Sequence, residues 1–196
     1  MVSTVVSAHR TAQEGRQALW RIAEAALSLG VATAIFLTVV WFVSPSSSEG
    51  GTFHAVADYL FTGSGVPFGA VPLVLLWTLL KLHGERVGRT ATVGVVVASV
   101  SLVALIAVLV ASVAAGEEIS GGPTYILGTA GSIIGIWLFC ISAARARLLP
   151  RGALFFWASA WTIGGMLGPK GSQLLLAAAY AVLLVQVHNR AREELG

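Results

Sequence analysis

The sequence predicts an all-α membrane protein, one polytopic transmembrane bundle of six helices over residues 1–196, and three observations carry that expectation. Only 11% of the residues are charged while 56% are hydrophobic, and mean hydropathy is +0.84; a soluble domain needs about 25% charged residues to wet its surface. The apolar residues gather into six stretches, approximately 22–43, 63–82, 91–115, 124–144, 152–168 and 172–188, and a helix of about 20 residues crosses the hydrocarbon. If those stretches alternate through a membrane, 11 of the 12 Lys and Arg residues fall on one side. Such a bias marks the cytoplasmic face.

The first stretch, 22–43, exceeds the apolar core of a signal peptide, about 7–15 residues, and no clear small-x-small cleavage site follows it. It is expected to remain as a span, entered past Arg10, Arg16 and Arg21 and left through a flexible outer loop, Ser46 to Gly51. From Phe53 to Leu82 the apolar pattern is almost unbroken, about 45 Å as a helix. Either one long tilted helix projects its first turns outward, or Gly63, Gly65 and Pro67 divide an interfacial helix over 53–62 from the span proper.

Lys81, Arg86 and Arg89 return the chain to the third stretch, and Glu117 and Glu118 mark its outer end. The fourth stretch leads through Arg145, Arg147 and Arg151 to the fifth, the weakest, whose 17 residues rise only about 25 Å. Pro150 and Gly168-Pro169 punctuate it, and Trp157 and Trp161 suit an interfacial belt. The run Gly165 to Ser172 lacks the Gly-Lys-Ser/Thr order of a phosphate loop and is expected to be a tight hairpin turn. The sixth stretch ends at Arg190 and Arg192, with His188 to Gly196 a solvated tail. Both termini are thus expected in the cytoplasm, while the outer side carries Glu49, Asp58, Glu117 and Glu118 against Lys170.

No Asp, Glu, Lys, Arg or His falls in the middle of a stretch, where such a residue signals function. Voltage sensing, proton-coupled transport and an intramembrane aspartyl dyad are disfavoured accordingly. Cys140 is alone and no Cys/His spacing suggests zinc, so neither metal nor cofactor is expected. The net charge of +3 comes from basic residues flanking apolar runs, which suits anionic headgroups and not nucleic acid.

The residues left to carry chemistry lie at the outer side. Asp58 follows His54 by four residues, so a helix there presents imidazole and carboxylate together as a candidate catalytic pair. Glu117 and Glu118 are candidate binding residues at the same rim, able to gather a divalent cation weakly. On the inner side, Glu24 follows Arg21 by three residues, the spacing of an interfacial ion pair. Small residues mark packing faces: Gly94, Ala98, Ser101, Ala104, Ala107 and Ala111 in the third stretch, Gly128, Gly131, Ser132 and Gly135 in the fourth, and Ala26, Gly30 and Ala34 in the first. Such stripes let helix backbones approach closely, either within the chain or against a partner.

The segment Arg145-Ala146-Arg147-Leu148-Leu149-Pro150-Arg151-Gly152, leading into an aromatic-rich fifth stretch and a closing sixth, resembles a broad group of uncharacterised six-helix bacterial membrane proteins. The resemblance spans about the last third of the chain. It implies a six-helix fold and an envelope location, and it brings no catalytic residues. The function expected is a non-enzymatic accessory, regulatory or immunity-type component of the bacterial inner membrane. The alternatives are an intramembrane enzyme on a lipid-like or isoprenoid substrate, a cyclase or transferase with Asp58 as its acid, and a substrate-binding membrane subunit of a transporter. Expected partners are the bilayer, a membrane protein or second copy, and a hydrophobic small molecule.

Overall fold

The computed structural model describes residues 2–43, 51–119, 122–167 and 171–195, with side chains from residue 13 onward. The described residues form five α-helices: α1 (Val2–Val43), α2 (Val56–Ala115), α3 (Pro123–Arg145), α4 (Arg151–Ala160) and α5 (Gln173–Leu195). A π-helical segment, Trp161–Leu167, continues α4. Four helices are long and apolar enough to cross a membrane: α1 from Gln13, α2, α3 and α5.

The count of six helices is therefore corrected. The stretches 63–82 and 91–115 fall within one 60-residue element, α2, whose two helical arms are joined across a sharp turn. The connector between them holds no proline, so helical hydrogen bonding is not forced to stop. The backbone departs from helical geometry only at His83 (φ −139°, ψ 17°) and at Gly88 (φ 72°, ψ −177°), and glycine is the residue that adopts that positive φ without strain. The two departures fold α2 back on itself into arms 56–82 and 89–115. Gly65 lies against Leu109 and Gly69 against Ile106, and Trp77 Nε1 donates to Ser99 Oγ at 2.8 Å. Contacts move down one arm as they move up the other, so the arms are antiparallel. The fifth stretch also differs from expectation, because regular α geometry ends at Ala160 and the Gly164-Gly165 region winds as π turns.

Of the two readings of residues 53–62, the long helix is the one observed. α2 starts at Val56 and runs through Pro67 and Pro72 without interruption. Asp58, in its first turn, accepts the N–H groups of His54 and Ala55 on Oδ2, both at 3.0 Å. That satisfies donors the helix itself leaves unpaired, and the charge suits the positive end of the helix dipole.

The helices close into an antiparallel ring in chain order, α5 packing against α1. Small residues set each close approach. A Cβ on Gly135 would lie 2.5 Å from Ala98 N and Gly94 O, and one on Gly94 would lie 2.7 Å from Gly135 O. Gly131 meets the Ser101 side chain, and Gly30 meets Tyr180 and Val71. The stripes of the third, fourth and first stretches thus pack, where they are buried, inside the chain; Ala107 and Ala111 at the outer end of the third are exposed.

Trp157 and Trp161 depart from the belt expected of them. Both are fully buried, as is Trp20. Trp161 stacks on Phe68 at 5.4 Å between centroids and donates Nε1 to Ser132 Oγ at 3.3 Å. An indole whose N–H finds a hydroxyl inside the bundle has no need of the interface. Glu24 lies 3.0 Å from His188 Nδ1 on α5, where the sequence had paired it with Arg21. The expected solvated tail is helical to Leu195 and held to α1 by Arg16 Nη2, 2.7 Å from Glu194 Oε2. Most of the loop Ser46 to Gly51, and residues 168–170 of the expected hairpin turn, lie outside the described residues.

Candidate functional site

At the acidic end, the chain on either side of α2 is stitched together. Thr52 and Glu117 form an antiparallel bridge, Phe53 N–H donates to Gly116 O at 2.8 Å, and Glu118 N–H donates to Gly51 O. Gly116 caps α2 with φ 69°, and a Cβ there would come within 2.8 Å of the Tyr59 hydroxyl. Both the backbone conformation and the space therefore call for glycine at this position. Tyr59 in turn meets the edge of Phe53 at 4.9 Å.

Beneath this clamp lies a cavity of about 240 Å³. Its apolar wall comes from Phe68, Leu102, Ile106 and Leu109 on the two arms of α2, and from Met166 of the π segment. Its polar rim is Asp58, Glu118, Tyr125 and Gln173, residues that begin or follow helices at this end. Gly65 and Gly69 line the cavity where the arms of α2 approach each other closely at Leu109 and Ile106, and the π turn places Gly165 and Met166 at the wall. π-helical turns recur at functional sites.

The structure brings some of the sequence-selected residues together and separates others. Asp58 is buried and lines the cavity. His54 is exposed, and the contact between the two is the His54 backbone N–H on the Asp58 carboxylate. Carboxylate and backbone meet through the N-terminal cap, so the i,i+4 spacing places a helix start and not an imidazole on an acid. Glu117 and Glu118 reach the same end through the bridge, with Glu118 in the rim. Among the described residues no three His, Cys, Asp or Glu side chains converge to hold a metal ion. Gly94, Ala98, Ser101, Gly131 and Gly135 form the α2–α3 contact below the cavity and do not line it.

Sequence reasoning missed the apolar wall. Phe68, Ile106 and Leu109 sit in uniformly apolar runs where no pattern separates cavity from lipid. The pairs Gly63/Gly65 and Gly164/Gly165 were the available signal, since both interrupt bulky runs at the level of the cavity.

At the opposite, basic end, charged groups knit α5 to α1. Glu194, mostly buried, accepts from Arg16 Nη2 at 2.7 Å and ion-pairs with Arg190, while Arg190 Nη1 donates to Glu193 at 3.0 Å. Under this network sits His83, in the turn joining the arms of α2 and edge-on to Trp20 at 5.6 Å. Burial pushes its pKa down to about 4, outweighing the upward pull of Glu194; Arg86, Arg16 and Arg190 push the same way as burial. No protein-family model matches this chain, and no curated protein or solved structure matches it either.

Proposed function

We propose that the chain is a multi-pass component of a bacterial inner membrane that holds a single-chain amphiphile in the cavity at its acidic end, in a non-enzymatic accessory or regulatory role. The observation that carries this reading is the cavity itself: an apolar wall ending in a polar rim at one end of a bundle of membrane-length helices. Its size, about 240 Å³, lies just under the range of roughly 300–1,000 Å³ that encloses a drug-sized ligand, so it suits the head-proximal part of one chain and not a whole lipid. In the same proposal the chain crosses six times. The two arms of α2 and the α4–π unit each cross, along with α1, α3 and α5.

A second reading, an enzyme on an isoprenoid substrate, draws on Asp58 at the cavity wall. Against it, one carboxylate oxygen of Asp58 is already committed to two backbone N–H groups, and the His54 ring is exposed. The partner-docking reading loses the small-residue faces, which are largely consumed within the chain.

Photocrosslinking tests the proposal. Protein in nanodiscs doped with a diazirine-bearing hexadecylamine is illuminated and the adducts are mapped. The amine suits a rim that holds Asp58 and Glu118. Adducts are expected at Phe68, Ile106 and Met166, and to be lost in Thr62→Phe and Ile106→Phe, which fill the cavity. Adducts spread evenly over the outward residues Val93, Val100 and Ile134, and unchanged in the filled variants, would sink it.

A further inference from the structure

The basic end carries a second recess that is independent of the cavity. The turn between α3 and α4 and the last turns of α5 enclose about 410 Å³, lined by Arg147, Arg151 and Arg190 with the amides of Gln186 and Asn189. Glu193 is the one acid in its wall, and Arg190 holds it at 3.0 Å. Among the described residues neither Arg147 nor Arg151 ion-pairs with a carboxylate. Two exposed guanidinium groups are left uncompensated at one recess.

The backbone adds a sharper indication. Arg147 has φ 55°, the only non-glycine residue with positive φ among the described residues. Its N–H bonds Ala144 O at 3.3 Å, and the next N–H, of Leu148, reaches back to Ala143 O at 3.1 Å. This paired closure ends many helices, and glycine usually occupies its left-handed position because a side chain there is strained. An arginine in that place gives up stability, and strained non-glycine residues concentrate where a side chain has a task. The closure fixes the root of Arg147 at the recess, while the buried Leu148 and Leu149 anchor the turn from below.

We propose that this recess binds the phosphate of an anionic phospholipid headgroup, gripped by Arg147 and Arg151 and completed by the amides of Asn189 and Gln186. Guanidinium groups match phosphate oxygens two at a time. The recess lies at the ends of α3 and α5, both of membrane length, which is headgroup depth, and basic pockets between membrane helices are suited to anionic lipids.

The experiment measures lipid retention by native mass spectrometry and protection in thermal unfolding, on the full chain in detergent. The probes are phosphatidylglycerol, phosphatidylcholine and inorganic phosphate. Phosphatidylglycerol is expected to be retained in preference to phosphatidylcholine. The pair Arg147→Gln/Arg151→Gln should weaken it about tenfold or more, as loss of a hydrogen bond to a charged group does. The control pair Arg86→Gln/Arg89→Gln removes equal charge outside the recess and should leave it nearly unchanged. Arg147→Gly separates site from scaffold: it should raise the unfolding temperature while weakening phosphatidylglycerol. Equal weakening by the control pair, or full retention in Arg147→Gly, overturns the site. Protection by inorganic phosphate with none from phosphatidylglycerol overturns the lipid as its source.

Discussion

A methyl group is enough to test the close approach of α2 and α3. A Cβ on Gly135 would sit 2.5 Å from two backbone atoms of α2, and backbone cannot swing aside as a side-chain tip can. Gly135→Ala is therefore expected to lower stability by about 1–3 kcal/mol, the usual cost of overpacking. Gly152→Ala, with nothing within 4 Å of its Cβ, should leave thermal unfolding in detergent nearly unchanged. Equal melting of the two variants would mean that the helices part easily at Gly135. Glycine and alanine stripes announce close packing directly, which is why these residues were legible in the sequence. Their neighbour was not, since a stripe fits a helix of the same chain as well as a partner. Trp161 illustrates the same limit: an apolar ring with one donor suits an interface or a core, and here the Ser132 hydroxyl lies within reach of the donor.

At the scale of elements, α2 depends on its two irregular points, its start and its turn. Asp58→Ala removes the acceptor of two N–H groups and should cost about 0.5–2 kcal/mol. Asp58→Asn keeps an oxygen there and should lose mainly the charge–dipole contribution, about 0.3–1 kcal/mol. Loss of crosslinking in Asp58→Asn at near-normal stability would assign the carboxylate to the rim of the cavity as well as to the cap. The turn makes its own prediction. His83 has a pKa of about 4 when folded against 6.5 for the free side chain, so the unfolded chain binds more protons between those values. The contribution of neutral His83 to stability is thus full above about pH 6.5 and is lost as pH falls toward 4. Comparison of unfolding temperatures at pH 7 and pH 5 should show a smaller drop in His83→Gln than in the wild type; equal drops would assign the effect to the surrounding carboxylates. The basic connector was plain in the sequence. How tightly it would turn was not, because two backbone angles, at His83 and Gly88, decide it and no proline forces the matter.

At the scale of the whole molecule, the ring arrangement constrains how the chain threads a membrane. Arginine at the centre of a membrane helix costs about 2.5–3.5 kcal/mol, so the connectors holding Arg86 and Arg147, and the last turn of α5 holding Arg192, must each lie outside the hydrocarbon. The short α4–π unit is where the count of crossings turns. If it only dipped into the membrane, α5 would run the opposite way and Arg192 would emerge opposite the start of α1. Yet Arg16 meets Glu194 at 2.7 Å and Glu24 meets His188 at 3.0 Å, contacts that hold the end of α5 beside the first half of α1. The expected outcome is therefore that single cysteines at Arg86, Arg147 and Arg192, in a Cys140→Ala background, react with an impermeant maleimide only after cells are permeabilised. A cysteine at Glu118 should react in intact cells. Labelling of Arg192→Cys alone among the basic positions would leave five crossings and break the ring, whereas labelling of all three with Glu118→Cys protected would keep the ring and invert it.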